Sequence, residues 1–448
     1  MCTAVREKLA FQDLSGKYLI NSDTIDDECF QRQFFHMYRA RLNALRPRIL
    51  AVANNKFGIK TTGVVEGKEN HGKKMRFVIG TVEKRVKLRP SILRSLAENQ
   101  IILPEPYDGN SLVSEDDYLE LEDDKQVMRI IGSISADDVS TGCVVGLLGM
   151  QTDDDKLDVK TIIWPKMAIQ PPFPSLNFDK FILFVSGLSF RGEAAKDWKK
   201  LLCLDLMQRW LCGQVPVCDK ERAVLTNLGR LIIAGESIAI TEEAREFSTA
   251  ARYLIRNEEC PNVECAAFMD SFISKISGSL TVDLMPGLGD PTTHMMPQQP
   301  IHRCVFPKAS HYGKMLNLVT NPYHFKVEDV HIMGTSGENV SDIKRFCLNR
   351  TSIDIMKNII HWQHLAPTIP DTVDGFPFKD HDPFIIDDTL PHILFAGNQD
   401  CLEFSLEKFG ENQKVLLLAI PSFSKTMSAA LVNLRTLEVV EKSFHIEF

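Results

Sequence analysis

Phe181-Ile182-Leu183-Phe184-Val185-Ser186-Gly187 decides how the second half of this chain is read. Five apolar residues in a row leave no polar face, so a strand made from them must be buried on both sides. The Ser-Gly pair after them fits a turn at the strand's end. The same grammar returns twice: Leu231-Ile232-Ile233-Ala234 runs into Gly235-Glu236, and a third strand ends at Met285-Pro286-Gly287. Helical segments lie between. Ala194 to Cys212 is apolar on most sides with Gly213 placed as a C-terminal cap, and Thr241 with Glu242 and Glu243 opens another helix. Ile393 to Ala396, Val415 to Ile420 and Ala430 to Leu434 return to strands. Alternating β and α segments, with a loop after each strand, predict a layered α/β domain.

Upstream the pattern changes. Pro165, Pro171, Pro172 and Pro174 cluster without periodicity and read as a linker. Before them the chain looks all-β. Arg76 to Val82 is rich in β-branched residues, and Leu119 and Leu121 alternate with Glu120 and Glu122. Val127 to Ile131, Cys143 to Met150 and Leu157 to Trp164 add further strands, with Leu157, Val159, Thr161 and Ile163 on one side. Five such strands fit a small Greek-key barrel of the OB type; the pattern alone equally allows a small sandwich. Residues 27–45 read as an amphipathic helix with Phe30, Phe34, Tyr38, Leu42 and Leu45 on its stripe. Arg32, Arg39 and Arg41 fall off that stripe, and Pro47 stops the helix. One helix cannot form a core, so its apolar face must dock elsewhere. The expected organisation is a helical segment over 1–45, the barrel over 46–165 and the α/β domain over 166–448.

Size and composition agree with this division. A chain of 448 residues is too long for one ordinary hydrophobic core. Apolar residues at 44% and charged residues at 25% are ordinary for a globular protein. The formal net charge of −8 argues against strong binding of nucleic acid through phosphate neutralisation. The 11 cysteines contain no C-x-x-C pair, and Cys212/Cys218 and Cys260/Cys265 lack zinc-site spacing, so free thiols in a reducing compartment are expected. Met1 to Lys8 lacks the apolar core of a signal peptide, and no apolar run nears the roughly 18 residues of a membrane span. A cytosolic or nuclear protein without membrane contact is the expectation.

Loops after parallel strands are where a binuclear metallophosphoesterase keeps its chemistry. Carboxylates and imidazoles there hold two divalent metals about 3.5–4 Å apart, stabilising both the attacking and the leaving oxygen. That family's pattern runs Asp-x-His, Gly-Asp, Gly-Asn-His-Asp/Glu, a single His, then Gly-His-x-His. Here Gly187 stands for the first Asp and Ser189 for the first His. Glu236 replaces the bridging Asp. In the third motif Leu288 stands for Asn and Gly289 for the catalytic His, ahead of Asp290. The fourth motif falls in Met333-Gly334-Thr335-Ser336-Gly337 with no His at the expected place, and Asn398 and Asp400 occupy the last two His places. The resemblance therefore implies a calcineurin-like frame whose active site is degenerate, with no metal and no cofactor.

Longer strings sharpen it. Asp283-Leu284-Met285-Pro286-Gly287 with Asp290-Pro291, Pro297-Gln298-Gln299-Pro300-Ile301-His302, Val319-Thr320-Asn321-Pro322-Tyr323, Gly334 to Ile343 and His364 to Thr372 resemble the small (B) subunits of eukaryotic DNA polymerase delta. The resemblance runs from Leu45-Arg46-Pro47-Arg48 through Leu431 to Arg435 and favours delta over the alpha and epsilon counterparts. It implies a nuclear, non-catalytic accessory subunit in DNA replication and repair. Such a subunit grips the cysteine-rich C-terminal module of the catalytic subunit and binds a third, elongated subunit, which reaches the sliding clamp. The resemblance also implies an association with a translesion polymerase catalytic subunit.

Other chemistry finds less support in the residues. Nine of the twelve histidines lie between His294 and His392, without an i, i+4 pair beside a carboxylate in a clear helix, so they read as loop and strand-edge residues. Glu236, Asp290, Asn398 and Asp400 could hold one hard cation; without nitrogen ligands they read instead as loop hydrogen-bonding groups. An OB barrel invites single-strand binding through Lys73, Lys74, Arg76, Lys84, Arg85, Lys87 and Arg89. Few aromatics accompany them, and the acidic run from Glu115 to Asp124 repels phosphate, so at most weak direct DNA contact is expected. Gly334-Thr335-Ser336-Gly337 lacks the lysine of a P-loop and reads as a turn. The rival function is a divergent metal-dependent phosphodiesterase or nuclease.

Overall fold

The computed structural model describes residues 6, 8–21, 25, 29–70, 73–88, 111–123, 126–152, 154–190, 198–238, 262–387, 389–410 and 412–445. The chain divides into two compact units. One comprises residues 1–21, 170–338 and 391–448; the other comprises 22–169 and 339–390. The crossing at 169/170 lies inside the proline-rich stretch read as linker. The run 166–448, read from sequence as one domain, is interrupted, because 339–390 groups with the barrel.

A short strand, β1 (Phe11–Asp13), belongs to the first unit. In the second, a 3₁₀ turn at Cys29–Gln31 precedes helix α1 (Phe35–Phe57). This corrects the expected helix over 27–45, of which 27 and 28 lie outside the described residues. Pro47 does not stop the helix but sits inside it. An interior proline forfeits one N–H bond and costs about 3 kcal/mol. Leu42 and Leu45 before it and Ile49 and Ala53 after it are buried in one core with Phe77, Val144 and Leu148 of the barrel, and that continuous burial outweighs the loss. Gly58, at φ 70°, ends the helix by donating its N–H to the carbonyls of Ala53 and Asn54.

The barrel strands are β2 (Gly63–Asn70), β3 (Lys73–Arg85), β4 (Tyr118–Glu122), β5 (Val127–Gly132), β6 (Val144–Gln151) and β7 (Leu157–Ile163). They pair in the order β2-β3-β4-β5-β7-β6, and an antiparallel β3–β6 pairing closes the ring. β5 and β7 run parallel; the other pairs are antiparallel. Closure selects the barrel over the sandwich that the strand pattern also allowed.

Arg41 explains why residues 339–390 group with this unit. The sequence pattern places it off the buried stripe; instead it is fully buried. Its Nε donates to Asp382 Oδ2 at 2.7 Å, Nη1 to the carbonyls of Gly142 (3.0 Å) and Pro367 (2.8 Å), and Nη2 to the carbonyl of Ile369 (2.7 Å). Asp382 also bonds His364 Nε2 at 2.8 Å, while His364 Nδ1 accepts from the Ala366 N–H. A neutral His364 therefore carries its proton on Nε2 and donates to Asp382. Gly142, at φ 86°, must be glycine, since a Cβ there would fall 1.9 Å from the Pro367 carbonyl oxygen. Trp362 and Asn358, on the helix Ser352–Trp362, bond the carbonyls of Asp138 and Asp137 and tie the same segment to the barrel.

The first unit contains β8 (Phe181–Val185), α2 (Trp198–Leu211), α3 (Asp219–Thr226), β9 (Leu228–Ala234), α4 (Asn262–Ser277), β10 (Thr281–Met285), β11 (Leu316–Leu318), β12 (Tyr323–Val327) and β13 (Val330–Thr335). β14 (Ile393–Gln399), β15 (Glu403–Lys408), β16 (Lys414–Pro421), β17 (Ser428–Asn433) and β18 (Val439–Ser443) complete it. Residues 194–197 of the expected helix, and the helix expected to open at Thr241, lie outside the described residues. Two six-stranded sheets form, β1-β12-β13-β14-β16-β15 and β11-β10-β9-β8-β17-β18. The apolar run at β8 is split by its pleat. Ile182 and Phe184 pack with Phe325, Phe395 and Leu418 of the other sheet, whereas Leu183 and Val185 pack with Leu204, Met207 and Ile273 of the helices. Double burial is the reason the strand carries no polar residue.

Arg41 and Asp382 make a test of the barrel unit. Burial pushes the Asp382 carboxyl up, but the charge of Arg41 and the hydrogen bonds from His364 and Arg41 outweigh it and hold the group well below the usual carboxylate range. Its stabilising effect is complete above the unfolded value near 4 and is lost as pH falls below it. Arg41→Met and Asp382→Asn are each expected to cost about 3–5 kcal/mol in urea unfolding, since each leaves a buried partner unmatched. Asp382→Asn should also shrink the acid limb of the stability profile; an unchanged limb would show that the pair is not what acid disrupts.

Candidate functional site

The strand ends singled out by sequence meet in the first unit, and they meet through their backbones. The Gly187 N–H donates to the Gly235 carbonyl at 3.0 Å, Ser189 N to Glu236 O at 3.0 Å, and Phe190 N to Ser237 O at 2.8 Å. Ser186 Oγ accepts from Asn398 N at 2.8 Å and donates to the Pro421 carbonyl at 3.0 Å. Asn398 Nδ2 donates to the carbonyls of Ala234 (3.2 Å) and Ser336 (2.8 Å). The C-terminal ends of β8, β9, β13, β14 and β16 and the residues just past them are thereby laced together.

Gly187 sits at the centre of this lacing with φ 62°. A Cβ at 187 would fall 2.2 Å from Ser422 Oγ and 2.7 Å from Asn398 Oδ1. The volume that a side chain at 187 would use is therefore filled by two neighbouring residues. Ser189, Glu236 and Asn398 also have positive φ, at 51°, 54° and 56°. Non-glycine residues adopt that conformation where surrounding bonds over-determine the backbone.

Asp290 and Glu236 do come together. The Asp290 carboxylate accepts from the N–H groups of Gly287 (2.8 Å), Ser237 (3.0 Å) and Ile238 (2.9 Å). Burial pushes this carboxyl up to about 7; the Ile238 N–H opposes the rise, and the charge of Glu236 adds to it. Burial also raises Glu236, whose Oε1 accepts from the Gly289 N–H at 3.3 Å. These carboxylates act as caps on loop backbone.

The remaining positions lie elsewhere. Gly334 is inside β13, paired with Phe395 and beneath its ring, and Ser336 and Gly337 form the loop that follows. Leu288 is exposed, and Asp400 is exposed just past the end of β14. Among the described residues, no group of three or more His, Cys, Asp and Glu side chains is placed to hold a metal ion.

The barrel cations are engaged in structure. Lys84 is buried, with its ammonium on the carbonyls of Ala136 (3.1 Å) and Phe346. Arg85 pairs with Glu120 at 2.8 Å and Lys87 with Asp116 at 2.5 Å. Arg76 bonds Gln151 at 2.6 Å. The Lys73 and Lys74 side chains and Arg89 lie outside the described residues. Phe77 is buried in the barrel core and offers no stacking face.

Sequence reasoning missed the polar girder behind the site. Asn321 exchanges backbone bonds with Gln298 at 2.8 and 3.1 Å, and its Nδ2 donates to Gln298 Oε1 (2.9 Å) and Ser336 Oγ (2.7 Å). Ser336 N returns a bond to Asn321 Oδ1 at 3.0 Å. The available signal was the pair of amide-bearing strings at 297–299 and 320–322, which carry the family resemblance and prove to be each other's partners.

Comparison with known proteins accords with both units. Residues 33–162 match the family described as the OB-fold domain of the DNA polymerase delta subunit, and residues 182–406 match the B-subunit family of DNA polymerase alpha/epsilon. A probable DNA polymerase delta small subunit of Caenorhabditis elegans is 34% identical over 100% of both chains. The DNA polymerase delta small subunit of Oryza sativa is 31% identical over 99% of each. DNA polymerase delta subunit 2 of Drosophila melanogaster is 32% identical, covering 93% of this chain and 94% of the other.

Two variants test the laced loops. Gly187→Asp is expected to destabilise by about 3 kcal/mol or more through overpacking and backbone strain, and calorimetry with Mn²⁺ should detect no binding gained. Because the folded Asp290 carboxyl is raised, its effect on stability turns unfavourable as pH rises from about 4 towards about 7. Asp290→Asn should flatten that slope in urea midpoints taken between pH 5 and pH 8, leaving the part due to other raised carboxyls such as Glu236; an identical slope in the variant would rule Asp290 out as a source.

Proposed function

The chain belongs to the family of DNA polymerase delta small subunits, accessory subunits of the polymerase complex, and from that premise we propose that it works as a scaffold without chemistry of its own. The sandwich is, on this reading, a calcineurin-like phosphoesterase frame whose catalytic positions now serve packing. The observation that carries the reading is the contact of Ser422 and Asn398 with the space above Gly187. Glu236 and Asp290 support it, since both carboxylates accept loop N–H groups.

The scaffold holds the cysteine-rich C-terminal module of the catalytic subunit and a third subunit, and through that third subunit reaches the sliding clamp. A translesion polymerase catalytic subunit is a further partner on this reading. The work is nuclear, in replication and repair. Direct DNA contact is weak at most, because the described barrel cations Arg76, Lys84, Arg85 and Lys87 are buried or paired with carboxylates and a side-chain amide.

Co-expression with the delta catalytic subunit, followed by gel filtration, tests the proposal. A stoichiometric complex is expected, together with its loss when the catalytic subunit's C-terminal module is deleted. The purified chain should leave bis-p-nitrophenyl phosphate intact with or without Mn²⁺. A free chain that hydrolyses the diester in a cation-dependent way would reinstate the phosphodiesterase reading.

A further inference from the structure

Away from the laced loops, the barrel unit has a cavity of ≈ 370 Å³ that opens to solvent. Phe35, Tyr38 and Leu42 of α1 and Val82 of β3 give it an apolar floor. Phe35, the first residue of α1, is 52% exposed, a large apolar surface left open at the cavity mouth. The rim is acidic. Glu83, Glu122, Asp123 and Asp371 line the cavity, and Arg39 is the one cation among the described lining residues.

Glu83 stands among further carboxylates. Burial raises the Glu83 carboxyl; Arg85, at 2.8 Å, opposes the rise, and the charges of Glu120, Asp371 and Glu122 add to it.

From this combination we propose that the cavity is a docking pocket for an arginine or lysine side chain presented by a protein partner. Long basic side chains lay an apolar stem along a hydrophobic surface and place the charged head among carboxylates. Phe35 and Leu42 provide the surface, and Glu83, Glu122 and Asp123 provide the carboxylates. A cavity of this volume takes a side chain and part of its backbone, not a folded element. The net negative rim repels phosphates, so a nucleic acid is not the occupant. The inference rests on the scaffold reading, for it assigns one of the scaffold's contacts.

The test uses the full chain assembled with the delta catalytic subunit, carrying p-benzoylphenylalanine at Phe35 in one preparation and at Glu122 in another. Irradiation should join both probes to one protein segment, with an arginine or lysine within a few residues of the link mapped by mass spectrometry. Adding Asp123→Lys to the Phe35-probe preparation should lower the yield at least fivefold, and changing the mapped basic residue to glutamate should restore it. Assembly without cross-links, cross-links to added DNA, or a yield indifferent to charge reversal would overturn the pocket and leave the scaffold standing. Failure to assemble at all would overturn the scaffold, and the pocket with it.

Discussion

Everything in the barrel unit depends on one guanidinium. Arg41 is buried on α1, and its bonds reach the turn before β6 and three points between Pro367 and Asp382. A buried arginine without partners is prohibitively costly, so the segments that satisfy it have little freedom to be elsewhere. Asp382 neutralises the charge, carbonyl oxygens take the remaining donors, and His364 holds Asp382 from the other side. A helix, a barrel and a segment more than 300 residues downstream of the helix thus satisfy one another's polar groups.

The sandwich solves a different problem. Strand ends in layered α/β folds leave backbone donors and acceptors where an enzyme would place metals or phosphates. Here those groups are satisfied by one another and by small polar side chains: Ser186 with Asn398, Asn398 with Ala234 and Ser336, Asp290 with three amides. Glycine, serine and asparagine at these strand ends let the loops close on one another, so the positions contribute to rigidity.

Much of this was legible in the residues. The run 181–185 announced a strand buried on both faces because its neighbours on either side are apolar, and the alternation at 119–122 announced one wet face. The strand-end positions of Gly187, Glu236, Asp290 and Asn398 followed from where the apolar runs stop. Besides the polar girder and the grouping of 339–390 with the barrel, three single residues escaped. Pro47 carries a strong local signal for helix termination, and only the tertiary burial of Ile49 and Ala53 overrides it. Arg41 looks like a solvated helix residue, because no local pattern announces a counter-ion at 382. Gly334 reads as a loop residue, whereas its lack of a side chain makes room for the Phe395 ring on the adjacent strand.

The discontinuity of both units has a consequence for how the chain is made. A ribosome delivers Arg41 early and Asp382 some 340 residues later, which at ordinary elongation rates is tens of seconds. Throughout that interval the nascent barrel lacks its counter-ion. The sandwich waits longer still, since β17 pairs with β8 only after residue 433 emerges. Neither unit can finish folding while most of the chain is still to come, so translation leaves the two to be completed almost together, with their unfinished edges open to chaperones until the end.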